Sequence, residues 1–409
     1  MKFLKLLFSL SIILILTACN VNQAKENVKE IEFWTLQLEA FRPYLTNVIT
    51  EYEALHPNIK IKWIDIPFSE GEKRTLASVM SNNVPDLVNL NPDFSATLAT
   101  RKALININDY VEREVLNQYL EQTIENLNYK DNIFGIPWYL TTSVTYYNKK
   151  LTNGINLPSN YFDLKEFGNS IKTQKQAYAI MPTICENGNL LKILNKYDAI
   201  SYDENILNLK NEKTTEILEL FKYLYQNNLI PKESITQTHQ EALEQFMSGQ
   251  TAILVSGTNF LNTIKDNAPE VYANLGIYKQ LCGTNGKTDF SMMNLIIPKK
   301  SKNPKEAIDF ALFLTNEKNQ LDFAKLAPVF PSNKAALENQ YFSQLENSLE
   351  QKIRFIGAQS LKNSVNPIKI QKNHALLNEL VDSMTQKVLL NKLSSEEALN
   401  EIKTELGKY

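Results

Sequence analysis

Histidine and cysteine are scarce in this chain of 409 residues, at three each. His56, His239 and His374 do not cluster, and beyond Cys19 the thiols are Cys185 and Cys282, far apart and without metal-ligand spacing. No H-E-x-x-H, G-x-S-x-G or Cys-His set occurs, so no cofactor, metal or catalytic constellation is implied. In an exported protein Cys185 and Cys282 could pair, but two buried free thiols is the preferred reading. An excess of either charge is also missing: 43 Lys and Arg against 45 Asp and Glu give −2, with the signs interspersed. That excludes the basic stripe a nucleic-acid partner would need. With so many carboxylates, no Asp/Glu pair can be singled out as a glycosidase dyad. After the first sixteen residues there is no run apolar enough to span a bilayer.

What is present begins with MKFLKLLFSLSIILILTAC, where Lys2 and Lys5 precede the apolar run Leu6 to Leu16 and a Leu-Thr-Ala-Cys ending. The run is short for a membrane anchor and right for a secretory leader. Its end resembles a bacterial lipobox. That resemblance implies a signal peptide over 1–19, a lipidated Cys19 and a polar tether over 20–28. The roughly 380 residues that remain exceed what one core organises, so two lobes are expected.

Alternation in EIEFWTLQL predicts an opening strand. A helix follows with Pro43 in its first turn and Tyr44, Val48 and Tyr52 at helical spacing, stopped by His56-Pro57. The strand IKIKWIDI, a helix over 72–82 and a third strand within 84–90 complete a βαβαβ order, hence a parallel unit with right-handed crossovers. Ligands of such sheets sit beyond the carboxyl ends of the strands, which selects Trp34 to Gln37 and Asn91 to Phe94. Further on, Asp163 and Asn303 are read as helix caps, and Ser394 with Glu397 as a capping box.

The segment FGIPWYLTTSVTYYNKKL (134–151) reads as extended chain, because Pro137 forbids a helix and hydroxylated residues alternate with aromatics and β-branched ones. It resembles the crossing segment of the extracellular solute-binding proteins of ABC sugar importers, the group typified by maltose-binding protein. The Phe-Trp strand, HPNIKIKW, ATLATRKALININDYV, the Gly249, Ala252, Gly257, Phe260 series, IPKKSKNPKEAIDFALFLTNEKNQLDFAK and the closing SSEEAL resemble the same family. Where that family carries an aromatic two residues after Gly257, Asn259 stands here. Its Gly-Gly pair is Ser291-Met292.

The resemblance implies an α/β, two-lobed type II periplasmic-binding-protein fold, each lobe a mostly parallel sheet flanked by helices. Lobe 1 would comprise 29–140 and 278–326, and lobe 2 141–277 and 327–409. It also implies a sugar held in the interlobe cleft by aromatic stacking and hydrogen bonds, then handed to the membrane permease by a monomeric, lipid-anchored, non-enzymatic protein facing the periplasm or exterior. The implied ligand set is Trp34, Gln37, Asn91, Trp138, Tyr139, Thr142, Gly257, Asn259, Ser291, Met292 and Phe330. Trp138 and Tyr139, adjacent on a strand, should face opposite ways, with Tyr139 stacking and Trp138 packed beneath. Glycerol phosphates or polyamines in the same fold are alternatives, and a lipid-anchored glycosidase a more distant one.

Two motifs mislead. Gly283 to Thr288 mimics a phosphate loop, but Leu281 stands where its first Gly belongs and no helix pattern follows. Tyr146-Tyr147 mimics a ferric-iron tyrosine pair, yet neighbours on a strand point to opposite faces.

Overall fold

Alternation in KEIEFWTL becomes strand β1 (Lys29–Leu36), with Ile31 and Phe33 wholly buried. In the computed structural model, which describes residues 28–406 apart from 82, 187, 204–205, 345–347 and 366–373, β2 (Ile59–Ile66) pairs with β1 in parallel along its length. Strand β3 (Leu87–Leu90) pairs in parallel on the other side of β1. The connecting helices are Arg42–Leu55 and Phe68–Ser81. Pro43 opens the first of these, where a missing N–H goes unmissed. The βαβαβ order read from the sequence is therefore the one that forms.

The chain then runs through β4 (Ile136–Thr141) into β5 (Ser143–Asn148), with only Thr142 between them. Strands β6 (Ile253–Gly257), β7 (Leu275–Lys279), β8 (Ser291–Ile296) and β9 (Phe330–Pro331) complete two main sheets. One has the order β9-β4-β8-β3-β1-β2 and the other β6-β5-β7. Every pairing that involves β4, β5 or β8 is antiparallel. Mostly parallel sheets in both lobes were expected, and only the β3-β1-β2 half of the first sheet meets that description. In the second lobe the parallel contacts are isolated bridges, Tyr178 with Thr251 and Asn160 with Cys282. The reason is that β5 enters this lobe from the first and is then flanked by two strands returning the other way.

Apolar packing follows the two sheets. One core gathers residues of 31–140 with Phe290 to Leu314 and Phe323, and its centre is aromatic: Phe33 meets Phe310 edge-on at 5.4 Å, and Phe323 stacks on Tyr44 at 5.0 Å. Two further clusters fill the second lobe, one beneath the helices of 161–230 and 377–402, the other around β5, β6 and β7. Ala327, Phe330, Leu337, Phe342, Ala358 and Leu361 pack in the first core although the sequence reading places 327–409 in the second lobe. Helix Leu349–Lys362 straddles the two, since its Ile353 packs in the cluster of β5 to β7. Gly357 permits this. A Cβ there would stand 2.2 Å from the Phe330 ring.

Local signals have mixed outcomes. The Ser394/Glu397 box forms, with the serine hydroxyl accepting from the Glu397 N–H at 3.2 Å. Asn303 does not cap its helix and reaches instead toward Glu30 and Asp86, and Asp163 accepts from Ser159 and Asn160 ahead of its helix. Cys185 and Cys282 are free thiols, half-buried and buried. The expected leader, lipobox Cys19 and tether lie outside the described residues, apart from Val28. No helix among the described residues is long and apolar enough to cross a membrane.

Candidate functional site

Two passages of chain between the lobes, at Thr142 and at Gln280 to Asp289, are fastened to each other around Thr142. Its hydroxyl donates to the carbonyl of Asp289 at 3.1 Å and accepts from the fully buried Gln280 side chain at 3.0 Å. Gln280 also brackets Asp289, donating to its carbonyl at 3.1 Å and accepting from its N–H at 3.2 Å. The Thr258 N–H donates to the Thr142 carbonyl, and its hydroxyl to that of Pro328, both at 3.3 Å. Short β-branched and amide side chains thus satisfy the backbone where the strands leave their sheets.

Beside this joint lies a cleft with a cavity volume of about 420 Å³. Thr141 to Ser143 and Asp289 to Ser291 form its floor. The second lobe supplies the wall, from Ile180 to Ile184, helix Asn189–Lys196, Tyr161, His239 and the turn from Ser256 to Phe260. The half-buried Phe260 ring stands edge-on to His239 at 5.4 Å. His239 Nε2 shares a 2.7 Å hydrogen bond with the Ser256 hydroxyl. Burial holds this imidazole below its ordinary pKa, with the Glu186 charge pulling weakly the other way.

Four charged side chains line the cleft besides His239: Glu186, Lys192, Lys196 and Asp289. Lys196 is 1% exposed, and its ammonium lies 3.2 Å from Asp289 Oδ2 and 3.2 Å from the Leu281 carbonyl. Burial alone would lower its pKa. Asp289 and the Tyr161 hydroxyl outweigh that and hold it above the usual value. The Glu186 carboxylate accepts from the backbone N–H of His239 at 3.0 Å.

Of the sequence-nominated residues, Thr142, Gly257 and Ser291 line this cleft. Asn259 sits next to it, directly before helix Phe260–Asn267, and gives that helix no side-chain cap. Gln37 lies elsewhere, in an open depression of the first lobe with Glu39, Asp65, Pro67, Phe68 and Ser69. Trp34 is 8% exposed, with its indole N–H donating to Glu32. Asn91 caps helix Pro92–Thr100 through Phe94 and donates to Glu72. Met292 and Phe330 are buried in the first core, and Trp138 is wholly enclosed.

Tyr139 is half-buried and does not alternate cleanly with Trp138. The pairing of β4 with β8 shifts register between Met293 and Asn294, so Trp138 is an extra residue opposite that step. This β-bulge overrides the alternation. Both rings contact Phe323, at 5.7 Å for Trp138 and 5.5 Å for Tyr139, and they touch each other at 5.2 Å. Burial pushes the Tyr139 phenol up to about 12.

The misleading motifs resolve as packing. Lys287 of the glycine-bearing loop pairs with Asp198, and buried Tyr146 donates to the Gly257 carbonyl at 2.9 Å. Sequence reading missed Tyr161, Glu186, Lys192, Lys196, His239 and Asp289. One signal was available: Lys196 falls three positions after Ile193, on the otherwise apolar buried stripe of an amphipathic helix.

The family model for bacterial extracellular solute-binding proteins matches residues 37–321. A galactooligosaccharide-binding protein of Bacillus subtilis (strain 168) is 22% identical over 285 residues, 67% of this chain and 66% of that protein. An arabinooligosaccharide-binding protein of Halalkalibacterium halodurans is 25% identical over 260 residues, 60% of this chain and 57% of its own length. The matched part is thus under two thirds of either relative. In three dimensions, a protein described as an oligosaccharide periplasmic-binding protein from Synechococcus sp. MITs9220 superposes with a TM-score of 0.82 at 29% identity, covering 93% of this chain and 98% of that one.

Proposed function

Because this chain belongs to the bacterial extracellular solute-binding proteins, with the family model matching residues 37–321, we propose that it captures a neutral sugar or oligosaccharide between its lobes. It then delivers the ligand intact to the permease of an ABC importer. The observation that carries the reading is the charge balance of the cleft at the joint: Glu186 and Asp289 stand against Lys192 and Lys196. A phosphorylated ligand would need unspent cations and a polyamine unspent carboxylates. Lys196 is taken up by Asp289, Glu186 accepts the backbone N–H of His239 and Lys192 reaches the Asn189 amide, so the cleft gathers no cluster of one charge, which favours a ligand of hydroxyl groups.

In this reading Thr142, Gly257, Ser291 and Phe260 meet the ligand from the joint and the second lobe. Gln37 and Tyr139 belong to the opposing face of the first lobe, and Trp34, Trp138, Met292 and Phe330 serve packing. The division into two lobes places helix Leu349–Lys362 at their boundary. The protein acts as a monomer facing the periplasm or cell exterior, tethered through a lipid on Cys19, and it does not cleave its ligand. Titration calorimetry with galactotriose, arabinotriose, maltotriose and diacetylchitobiose tests this, with the sugar recovered and analysed afterwards. Binding and intact recovery of at least one is expected. Binding of none, or cleavage products, would contradict it.

A further inference from the structure

Lys196 is the one fully buried ammonium in the wall of a cleft open to solvent, and its partner Asp289 is not buried. The aspartate side chain is 29% exposed while the lysine's is 2%. A salt bridge serving only the fold would gain nothing from that asymmetry, and buried ion pairs are poor stabilisers beside apolar packing. The surroundings hold the aspartate still. Its backbone is bracketed by Gln280 and Thr142, all within 3.2 Å, and its carboxylate is gripped from behind by Lys196. The lysine is fixed in turn by the Leu281 carbonyl and by the Tyr161 ring, 5.1 Å from its nitrogen.

Gly283 makes this closeness possible, since a Cβ there would stand 2.2 Å from the Lys196 carbonyl oxygen. Tyr197 fastens the same stretch by donating to the Cys282 carbonyl at 3.2 Å. An ionised carboxylate with lone pairs facing a cleft accepts hydrogen bonds and offers none. On a preorganised frame, such charge-assisted bonds are the strong ones.

We propose that Asp289 is a specificity-determining residue of the cleft, accepting from a neighbouring pair of ligand hydroxyls, and that Lys196 is the positioning residue that holds it aimed. This rests on the sugar reading and narrows it: the end of the ligand nearest the joint carries two adjacent free hydroxyls and no anionic group. A carboxylate or phosphate on the ligand at that end would meet Asp289 with like charge.

The test uses wild type, Asp289→Asn and the double variant Asp289→Asn/Lys196→Met, titrated with the four oligosaccharides above and with mono-deoxy derivatives of any that binds. The single variant leaves Lys196 buried and unpaired, so both affinity and melting temperature should fall. The double variant removes both charges. It should regain the melting temperature yet remain roughly 10- to 100-fold weaker in affinity, the range for a lost hydrogen bond to a charged group. In wild type, deleting either of two adjacent hydroxyls should cost a similar factor, and in the double variant neither deletion should cost more. Wild-type affinity in the double variant, or a wild-type protein indifferent to every deoxy substitution, would overturn the proposal while leaving the sugar reading intact. A wild type that binds none of the four would overturn both.

Discussion

Trp138 shows how far one residue could be read. Its place after Pro137 in an extended segment marked it for burial, and it is wholly enclosed between Phe33, Tyr139 and Phe323. The bulge that brings Tyr139 to the same neighbour left no mark, because it arises from pairing with β8, far along the chain. Trp138→Ala should therefore cost about 3–5 kcal/mol of stability, as a buried aromatic deletion does. Urea denaturation would measure it, and a loss under about 1 kcal/mol would argue against this packing.

His239 was visible only as one of three scattered histidines, and its burial against Ser256 and Phe260 depends on tertiary structure. Its pKa is lowered on folding, so the neutral form is the one the fold favours. The stability it contributes is present above the unfolded pKa of about 6.5 and is lost as pH falls toward the lower folded value. Melting wild type and His239→Gln from pH 7.5 down to about 5 should show wild type losing stability more steeply over that window. Parallel curves would contradict the assignment.

Among the elements, helices were the most legible where a side chain closes the first turn. Asn316, inside the family-like segment that ends in TNEKNQLDFAK, accepts from the Asn319 N–H at 2.8 Å to begin helix Glu317–Leu326. That helix carries Phe323, on which Trp138, Tyr139, Tyr44 and Phe41 converge. Asn316→Ala should cost about 1 kcal/mol, the usual worth of an N-cap, measured as a shift in denaturation midpoint with the slope unchanged. Asn303 had the same local signature, followed by Pro304 and Glu306. Asp86 and the Glu30 carbonyl compete for its amide, and Lys29 takes Glu306, so the cap is not made. Local chemistry gives a helix start; which partner a polar side chain finally takes depends on what the fold brings alongside.

For the whole molecule, the parallel β3-β1-β2 unit was legible because its strands and crossovers are consecutive and their periodicities clear. The antiparallel second sheet was not, since β5, β6 and β7 lie more than a hundred residues apart at their extremes and their order is set by how the chain returns across the joint. The same holds for the site. Thr142, Gly257 and Ser291 could be named because they stand in motif-bearing segments, whereas Lys196 and Asp289 meet only in the folded chain. The cleft they line is open above the joint, and the sequence-named Gln37 sits in a depression of its own on the first lobe. A ligand gripped from both sides requires those surfaces to approach by a hinge motion about Thr142, Gln280 and Thr258.

Small-angle X-ray scattering, recorded without ligand and with a saturating oligosaccharide that calorimetry has shown to bind, tests that account most directly. A smaller radius of gyration and a shortened interlobe distance distribution are expected at saturation. Superimposable curves with and without the bound sugar would contradict it.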